Sequence, residues 1–135
     1  MSPNPVLSTH ALIAIGFAIP LTLGPGDFLA LYGAPPEAVG PDVARMLGAA
    51  LVAVAAITWM AREAPEGPAL DAICGGFAVG MLAGLVVALY VQLTSEWMNA
   101  LGWTTVAAHA GLFAAYTVLY ATRGARRDGG HLQAG

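Results

Sequence analysis

His109 is the residue of this sequence best placed to do chemistry, because an ionisable side chain in the middle of a long apolar stretch is rare and commonly functional. Phe113 and Tyr116 follow it at helical spacing and are expected to share its side of a helix. This possible ligand face suits a planar aromatic molecule such as a quinone. A neutral imidazole can also bind the metal of a haem or a chlorophyll-type pigment.

The alternative for His109 is a neutral ring that donates a hydrogen bond to a backbone carbonyl or a threonine. The sequence favours this alternative, because His10 lies near the end of its own apolar stretch and no second histidine is expected at the depth of His109. We therefore predict no cofactor and no metal, with a haem or chlorophyll-type pigment at His109 as the alternative.

Arg45 is the second candidate, because it lies at the start of a predicted helix, where the helix dipole disfavours a cation. An arginine there needs a partner, and Asp42 and several polar side chains at other helix ends are available. Such a group either clamps the helices together or forms the mouth of a solute-binding site. The predicted polar cluster comprises Asp27, Arg45, Gln92, Glu96 and Asn99.

Other chemistry lacks the residues that it needs. The sequence contains no His-Glu-x-x-His motif, no phosphate-binding glycine loop and no paired catalytic carboxylates. Proton-coupled drug transporters need a carboxylate well inside a span, whereas the acidic residues here lie near helix ends or in loops. The single cysteine, Cys74, can form no internal disulfide and is expected to be a buried small residue. We predict that the protein is not an enzyme.

The composition identifies the elements that must position these residues. Of the 135 residues, 58% are hydrophobic and 10% are charged, and the mean hydropathy is +0.71. Soluble domains carry about 25% charged residues, so the chain is predicted to be an integral membrane protein with the lipid bilayer as a partner. A net charge of −3 and the lack of lysine leave no basic surface for nucleic acid.

Four membrane spans fit this length, since each needs about 20 apolar residues. They are predicted at about 7–24, 43–61, 70–93 and 101–121, which gives an all-α four-transmembrane-helix bundle over residues 1–123. The short connection between the last two spans predicts an antiparallel hairpin. Residues 124–135 are small, polar and charged, and are predicted to be a disordered cytoplasmic tail.

Small residues recur at every fourth position of the third span. In lipid they let neighbouring backbones approach closely, so this row is predicted to be a buried helix contact, inside the bundle or between copies. The fourth span carries a similar ridge, and His109 points about 160° away from Gly111, so the two faces must meet different neighbours. The predicted packing residues are Ala72, Gly76, Gly80, Gly84 and Ala88 in the third span, Gly48 in the second, and Ala107, Gly111 and Ala115 in the fourth.

The positions of the arginines predict the orientation. Arg62, Arg123, Arg126 and Arg127 fall on the side of the membrane shared by both termini, and Arg45 alone falls on the other. Because cytoplasmic segments carry the excess of basic residues, both termini are predicted to be cytoplasmic, with the protein in the bacterial inner membrane.

Three stretches of the sequence carry a resemblance. They are residues 44–51 (ARMLGAAL) with Trp59 and Arg62 closing the same helix, residues 98–106 (MNALGWTTV) and residues 31–33 (LYG). In these stretches the chain resembles a family of small uncharacterised bacterial four-helix integral membrane proteins. The family has no assigned activity, so the resemblance implies the fold and no chemistry. His109 departs from the family's pattern, which has an aliphatic or aromatic residue there.

These features predict a non-catalytic accessory or structural subunit. It is expected to pack against other membrane protein subunits, in a larger complex of the respiratory or photosynthetic type, or against copies of itself. The alternative is a small homo-oligomeric transporter or channel, although a pore is expected to show a polar stripe along one helix. Binding of a haem, a chlorophyll-type pigment or a quinone at His109 is a further alternative.

Overall fold

A computed structural model describes the backbone of residues 3–35 and 40–132 and the side chains of these residues up to Ala125. This part of the chain is all-helical. Its helices are α1 (Asn4–Leu23), α2 (Pro25–Leu31), α3 (Pro41–Ala61), α4 (Pro68–Thr94) and α5 (Gly102–Leu132). Three of them, α1, α3 and α4, are long and apolar enough to cross a membrane. The all-α fold class is therefore confirmed, and the chain has the helices of a membrane protein.

Prolines mark the starts of the first four helices. Each of α1 to α4 carries a proline at its first or second position, where the missing N–H would have no partner inside the helix and the fixed φ angle favours helix. Asp27, Asp42 and Asp71 lie in the first turns of α2, α3 and α4, close to the positive end of the helix dipole. Local sequence signals thus set where these helices begin.

The last helix extends further than the sequence predicts. α5 continues to Leu132, through most of the segment from Gly124 that is predicted to be a disordered tail, and residues 133–135 lie outside the described part of the chain. Once a helix has formed, each further residue adds one backbone hydrogen bond without a new nucleation cost. Ala125, Arg126 and Arg127 favour the helix, and Gly124 alone does not stop it.

Helices α1 and α3 form one antiparallel pair. Gly48, early in α3, lies against the end of α1, where a β-carbon on Gly48 would be only 3.0 Å from the Ala18 carbonyl oxygen. Leu7, early in α1, and Ala61, at the end of α3, belong to one buried cluster. Gly48 therefore has the close-packing role that the sequence predicts for it.

Helices α4 and α5 form the second antiparallel pair, as the short connection between them predicts. The positions of contact rise along one helix as they fall along the other: Gln92 meets Gly102, Gly84 meets His109, and Gly75 meets Tyr120. The two helices therefore lie side by side in one continuous register.

The two pairs meet at the end where α1 begins. A buried cluster there takes residues from four helices: Val6, Leu7, Ala61, Leu70, Cys74, Leu112, Tyr116 and Leu119. Cys74 has 0% of its surface exposed, which confirms its prediction as a buried small residue. This cluster is the hydrophobic core of the molecule, and it occupies one end of the bundle instead of the middle.

Asn99 joins the two helix pairs at the opposite end of the bundle, because it lies in the α4–α5 connection and bonds to the end of α2. Its backbone N–H donates to the Tyr32 carbonyl at 3.0 Å, and its Nδ2 donates to the Leu31 carbonyl at 2.8 Å. Beside it, Gly33 has a φ of +88° and lies so close to the Trp97 carbonyl oxygen that a β-carbon would clash. Glycine is needed at this position, since both the backbone angle and the contact exclude a side chain.

We expect Asn99→Ala to lower the free energy of unfolding by about 1–2 kcal/mol, because the Leu31 carbonyl and the Leu101 N–H each lose a side-chain partner. Thermal unfolding in detergent, followed by circular dichroism, measures this. The control is Thr94→Val, since the Thr94 hydroxyl donates only to the Tyr90 carbonyl of its own helix. Equal stability of the two variants would show that Asn99 does not hold the two halves together.

Candidate functional site

Between these two ends, a half-open cavity of about 560 Å³ lies between the helix pairs. This volume falls within the range of about 300–1,000 Å³ that is usual for ligand pockets. Its walls come from α1, α3, α4 and α5 and are mostly aliphatic or aromatic. The polar residues among them are His10, Gln92, Thr105 and His109. An apolar chamber with a few polar groups is the usual form of a small-molecule site.

His109 lies in the wall of this cavity. Its Nδ1 is 2.8 Å from the Thr105 carbonyl oxygen, which can only accept a hydrogen bond, so Nδ1 carries the proton. The imidazole ring lies against Gly84, where a β-carbon would be 2.5 Å from Nε2. The hydrogen bond to a backbone carbonyl is the one expected for a neutral histidine, and the position in a cavity wall also leaves the ring available to a ligand.

The small ridge of α5 faces a different neighbour, as the sequence predicts. Ala107, Gly111 and Ala115 line a shallow groove of about 380 Å³ between α1 and α5, whereas His109 faces α4. A β-carbon on Gly111 would meet no atom within 4 Å. The ridge is therefore open at Ala107 and Gly111, which do not show the close packing that the sequence predicts for them, whereas Ala115 packs against the buried cluster.

His10 is a second interior histidine, which the sequence does not predict. His10 is only 3% exposed, and its Nδ1 is 2.9 Å from the Tyr116 hydroxyl. The rings of His10 and Phe77 meet edge to face at 4.9 Å, and Phe77 stacks on Tyr116 at 5.4 Å. His10 lies near the start of α1, as the sequence predicts, but the sequence does not predict its burial, which follows because α1 begins at Asn4 and carries His10 inside the bundle.

The predicted ligand face of His109, Phe113 and Tyr116 is therefore not a single site. His109 lines the cavity, but Tyr116 is fully buried and hydrogen-bonded to His10. Phe113 is partly buried and lies outside the cavity wall. The three residues lie on one side of α5 because they are four and three positions apart. The neighbouring helices give each of them a different environment.

The predicted polar cluster is wrong as a single group. Arg45 pairs with Asp42 at 3.3 Å along its own helix, and their side chains are 51% and 96% exposed. Gln92 instead donates from Nε2 to the Asn99 carbonyl at 3.2 Å. The side chains of Asp27 and Glu96 are exposed, and neither forms an ion pair with Arg45. The physical reason is that a partner three residues away on the same helix needs no tertiary approach.

The glycine row of α4 is only partly used inside the monomer. Gly84 contacts His109 and Ala88 lines the cavity, but β-carbons on Gly76 and Gly80 would meet no atom within 4 Å, and Ala72 is exposed. Ala72, Gly76 and Gly80 therefore do not make the contact inside the bundle that is one of the two predicted alternatives. A step of four residues turns about 40° around an α-helix, so the row turns away from any single neighbour. Contact between copies remains a prediction.

An ion pair at the end of the α4–α5 hairpin is a feature that the sequence does not predict. Arg123 Nε donates to Asp71 Oδ1, and Arg123 Nη1 lies 3.6 Å from Glu66 Oε1. The Arg123 and Asp71 side chains are only 9% and 13% exposed. The hydrogen bond to the Asp71 carboxylate raises the pKa of the Arg123 guanidinium above its usual value. The antiparallel register that pairs positions 84 and 109 also pairs positions 71 and 123. The register of the predicted hairpin could therefore have indicated this ion pair from the sequence.

The comparisons with known proteins do not add a function to this geometry. No protein-family model matches the chain, and neither a curated protein nor a solved structure is similar to it. The resemblance to small bacterial four-helix membrane proteins therefore stays a prediction. The cavity, with His109 in its wall, is the candidate site.

Proposed function

We propose that the chain is a non-catalytic integral membrane protein that holds an apolar small molecule between its two helix pairs. The observation that carries this proposal is the cavity of about 560 Å³, which the bundle leaves open where a structural protein would be filled by side chains. Its walls suit the hydrophobic part of a ligand, and His109 offers a polar contact. Among the functions that the sequence predicts, the cavity therefore favours ligand binding over a purely structural role.

In this proposal α5 makes the fourth crossing. It lies antiparallel to α4 from the Gln92–Gly102 contact to the Asp71–Arg123 pair, so it covers the same depth as a helix that is itself long enough to span. The arginine distribution supports cytoplasmic termini and a bacterial inner membrane.

We expect Ala88→Phe to lower the amount of ligand bound, because Ala88 lines the cavity and a phenyl ring would fill part of it. The matched control is Ala114→Phe, at an exposed position of α5. Protein purified from its native membrane in mild detergent is extracted with organic solvent, and the small molecules are measured by mass spectrometry. A stable wild-type protein that carries no more apolar small molecule than Ala88→Phe would contradict the proposed function.

A second function is favoured by a different observation. The exposed Gly76 and Gly80 leave a smooth strip on α4, and such strips allow close helix association in lipid. We propose on this basis that the protein also packs against a copy of itself or against a subunit of a larger membrane complex. Native purification followed by mass spectrometry of the intact assembly tests this, and a monomer without partners would contradict it.

A further inference from the structure

The hydrogen bonding of His109 determines what its free nitrogen can do. A neutral imidazole carries one N–H, and the Thr105 carbonyl fixes that proton on Nδ1. Nε2 is then an acceptor, and among the described residues no donor is hydrogen-bonded to it. An acceptor in apolar surroundings is stabilised by any molecule that brings a donor to it.

The cavity also adjoins a surface groove on the side where α1 and α5 meet. The groove between α1 and α5 and the inner cavity share Ile13, Ala108 and Leu112 as wall residues. One layer of side chains thus separates the two spaces. The outer wall of the groove is made of small residues such as Ala107 and Gly111, which leave room for an extended apolar tail.

The positions of the polar groups along the cavity indicate where the polar end of a ligand would lie, which is at His109. His10 shares its Nδ1 with Tyr116, and Tyr116 lies about 10 Å from His109 along α5 at 1.5 Å per residue. Gln92 Oε1 is buried against Gly102 and has no hydrogen-bond partner in the described part of the chain. His109 Nε2 is the ring acceptor in the cavity wall, because the Nδ1 of the same ring is already bound to the Thr105 carbonyl.

We propose that the ligand is a long-tailed amphiphile that donates a hydroxyl hydrogen bond to His109 Nε2 and passes its tail between α1 and α5. A quinol has such a hydroxyl, whereas the oxidised quinone has only carbonyl acceptors. The cavity accordingly prefers the reduced form. This inference rests on the proposed function that the cavity binds an apolar molecule.

The test compares decyl-substituted benzoquinol with decyl-substituted benzoquinone on wild-type protein in lipid nanodiscs, without oxygen for the quinol. We expect the quinol to bind about tenfold more tightly, which is the factor that about 1.4 kcal/mol represents. In His109→Phe the affinity for the quinol should fall to that for the quinone. Thr117→Val should retain the preference, because the Thr117 hydroxyl donates to the Phe113 carbonyl of its own helix and Thr117 does not line the cavity. The wild-type ratio decides the matter even if His109→Phe does not fold.

A second measurement tests the path of the tail. Gly111→Leu puts a side chain into the groove, and no atom lies within 4 Å of its β-carbon. We expect it to weaken binding of the decyl quinol about tenfold, as the loss of about two buried methylene groups predicts, and to leave binding of the tailless benzoquinol unchanged. An equal effect on both quinols would overturn the proposed path.

The outcomes separate this inference from the proposed function. Tight binding with equal affinity for quinol and quinone overturns the preference for a donor and leaves the cavity as a binding site. If the quinol, the quinone and 1-decanol all fail to bind, both the inference and the proposed function are overturned. Competition by 1-decanol at similar affinity supports recognition of a hydroxyl on an apolar chain, and weak competition supports recognition of the aromatic quinol.

Discussion

Gly84→Leu is expected to lower the free energy of unfolding by about 3 kcal/mol, since overpacking costs about 1–3 kcal/mol and an orphaned buried polar group adds to it. A side chain at this position occupies the space of the His109 ring, which lies against the Gly84 backbone. The imidazole must rotate away and give up its hydrogen bond to the Thr105 carbonyl. Denaturant unfolding in detergent, followed by circular dichroism, gives the free energy.

The matched control is Gly80→Leu, about one helical turn earlier, where the added β-carbon meets no atom within 4 Å. Both variants replace a helical glycine by leucine, so their difference isolates the contact with His109. We expect Gly80→Leu to change monomer stability by less than about 0.5 kcal/mol. If copies associate through the exposed strip of α4, the same variant should lower the oligomer size, which light scattering detects.

A compensating variant keeps this prediction open to refutation even if Gly84→Leu fails to fold. In the double variant Gly84→Leu with His109→Ala, the new leucine can take the space that the imidazole leaves. We expect it to recover most of the lost stability, as contacting residues couple in a double-mutant cycle. A double variant as unstable as the sum of the two single variants would show that the two residues do not share this space.

Asp71→Asn is expected to have the second large effect. Removing one partner of a buried ion pair costs about 3–5 kcal/mol, because it leaves the other charge unpaired. Among the described residues, the guanidinium of Arg123 would then keep its ion pair with Glu66, whose side chain is 69% exposed and whose oxygen lies at 3.6 Å. We expect a loss near the lower limit of that range, measured by the same denaturant unfolding.

The Asp71–Arg123 pair can be tested with a control variant and with a double variant that should restore the stability. Asp42→Asn removes the partner of Arg45 in an exposed pair, and we expect a change below about 1 kcal/mol. The double variant Asp71→Leu with Arg123→Met replaces the buried charges by apolar side chains and should be close to wild type. Asp71→Asn and Asp42→Asn with equal effects would mean that Asp71 and Arg123 are not buried together.

The sequence predicts the helices of this protein and several of their local properties. Composition and apolar run length give an all-α membrane protein, and prolines set the starts of the first four helices. The burial of Cys74 and the close contact at Gly48 also follow from residue type and spacing. These features depend on a few consecutive residues, so they can be predicted without knowing which helices meet.

The sequence predicts less of the candidate site. It identifies His109 and the opposite placement of the Gly111 ridge, because the helical angle between two positions is fixed by their separation. It does not predict that His10 is buried beside Tyr116, 106 positions away, or that Asn99 donates to Leu31, 68 positions away. A polar side chain takes its partner from whichever helix comes near, and the periodicity of one helix carries no information about that.

The short connection predicts that α4 pairs with α5, but only the tertiary structure decides that α1 pairs with α3 and that a cavity remains between the two pairs. The row from Ala72 to Ala88 shows why: its spacing indicates close packing, yet Gly76 and Gly80 are open and Gly84 alone holds a neighbouring ring. Small residues permit a close approach but do not select the neighbour. That choice depends on how all the helices fill space together, so the cavity is a property of the assembled bundle.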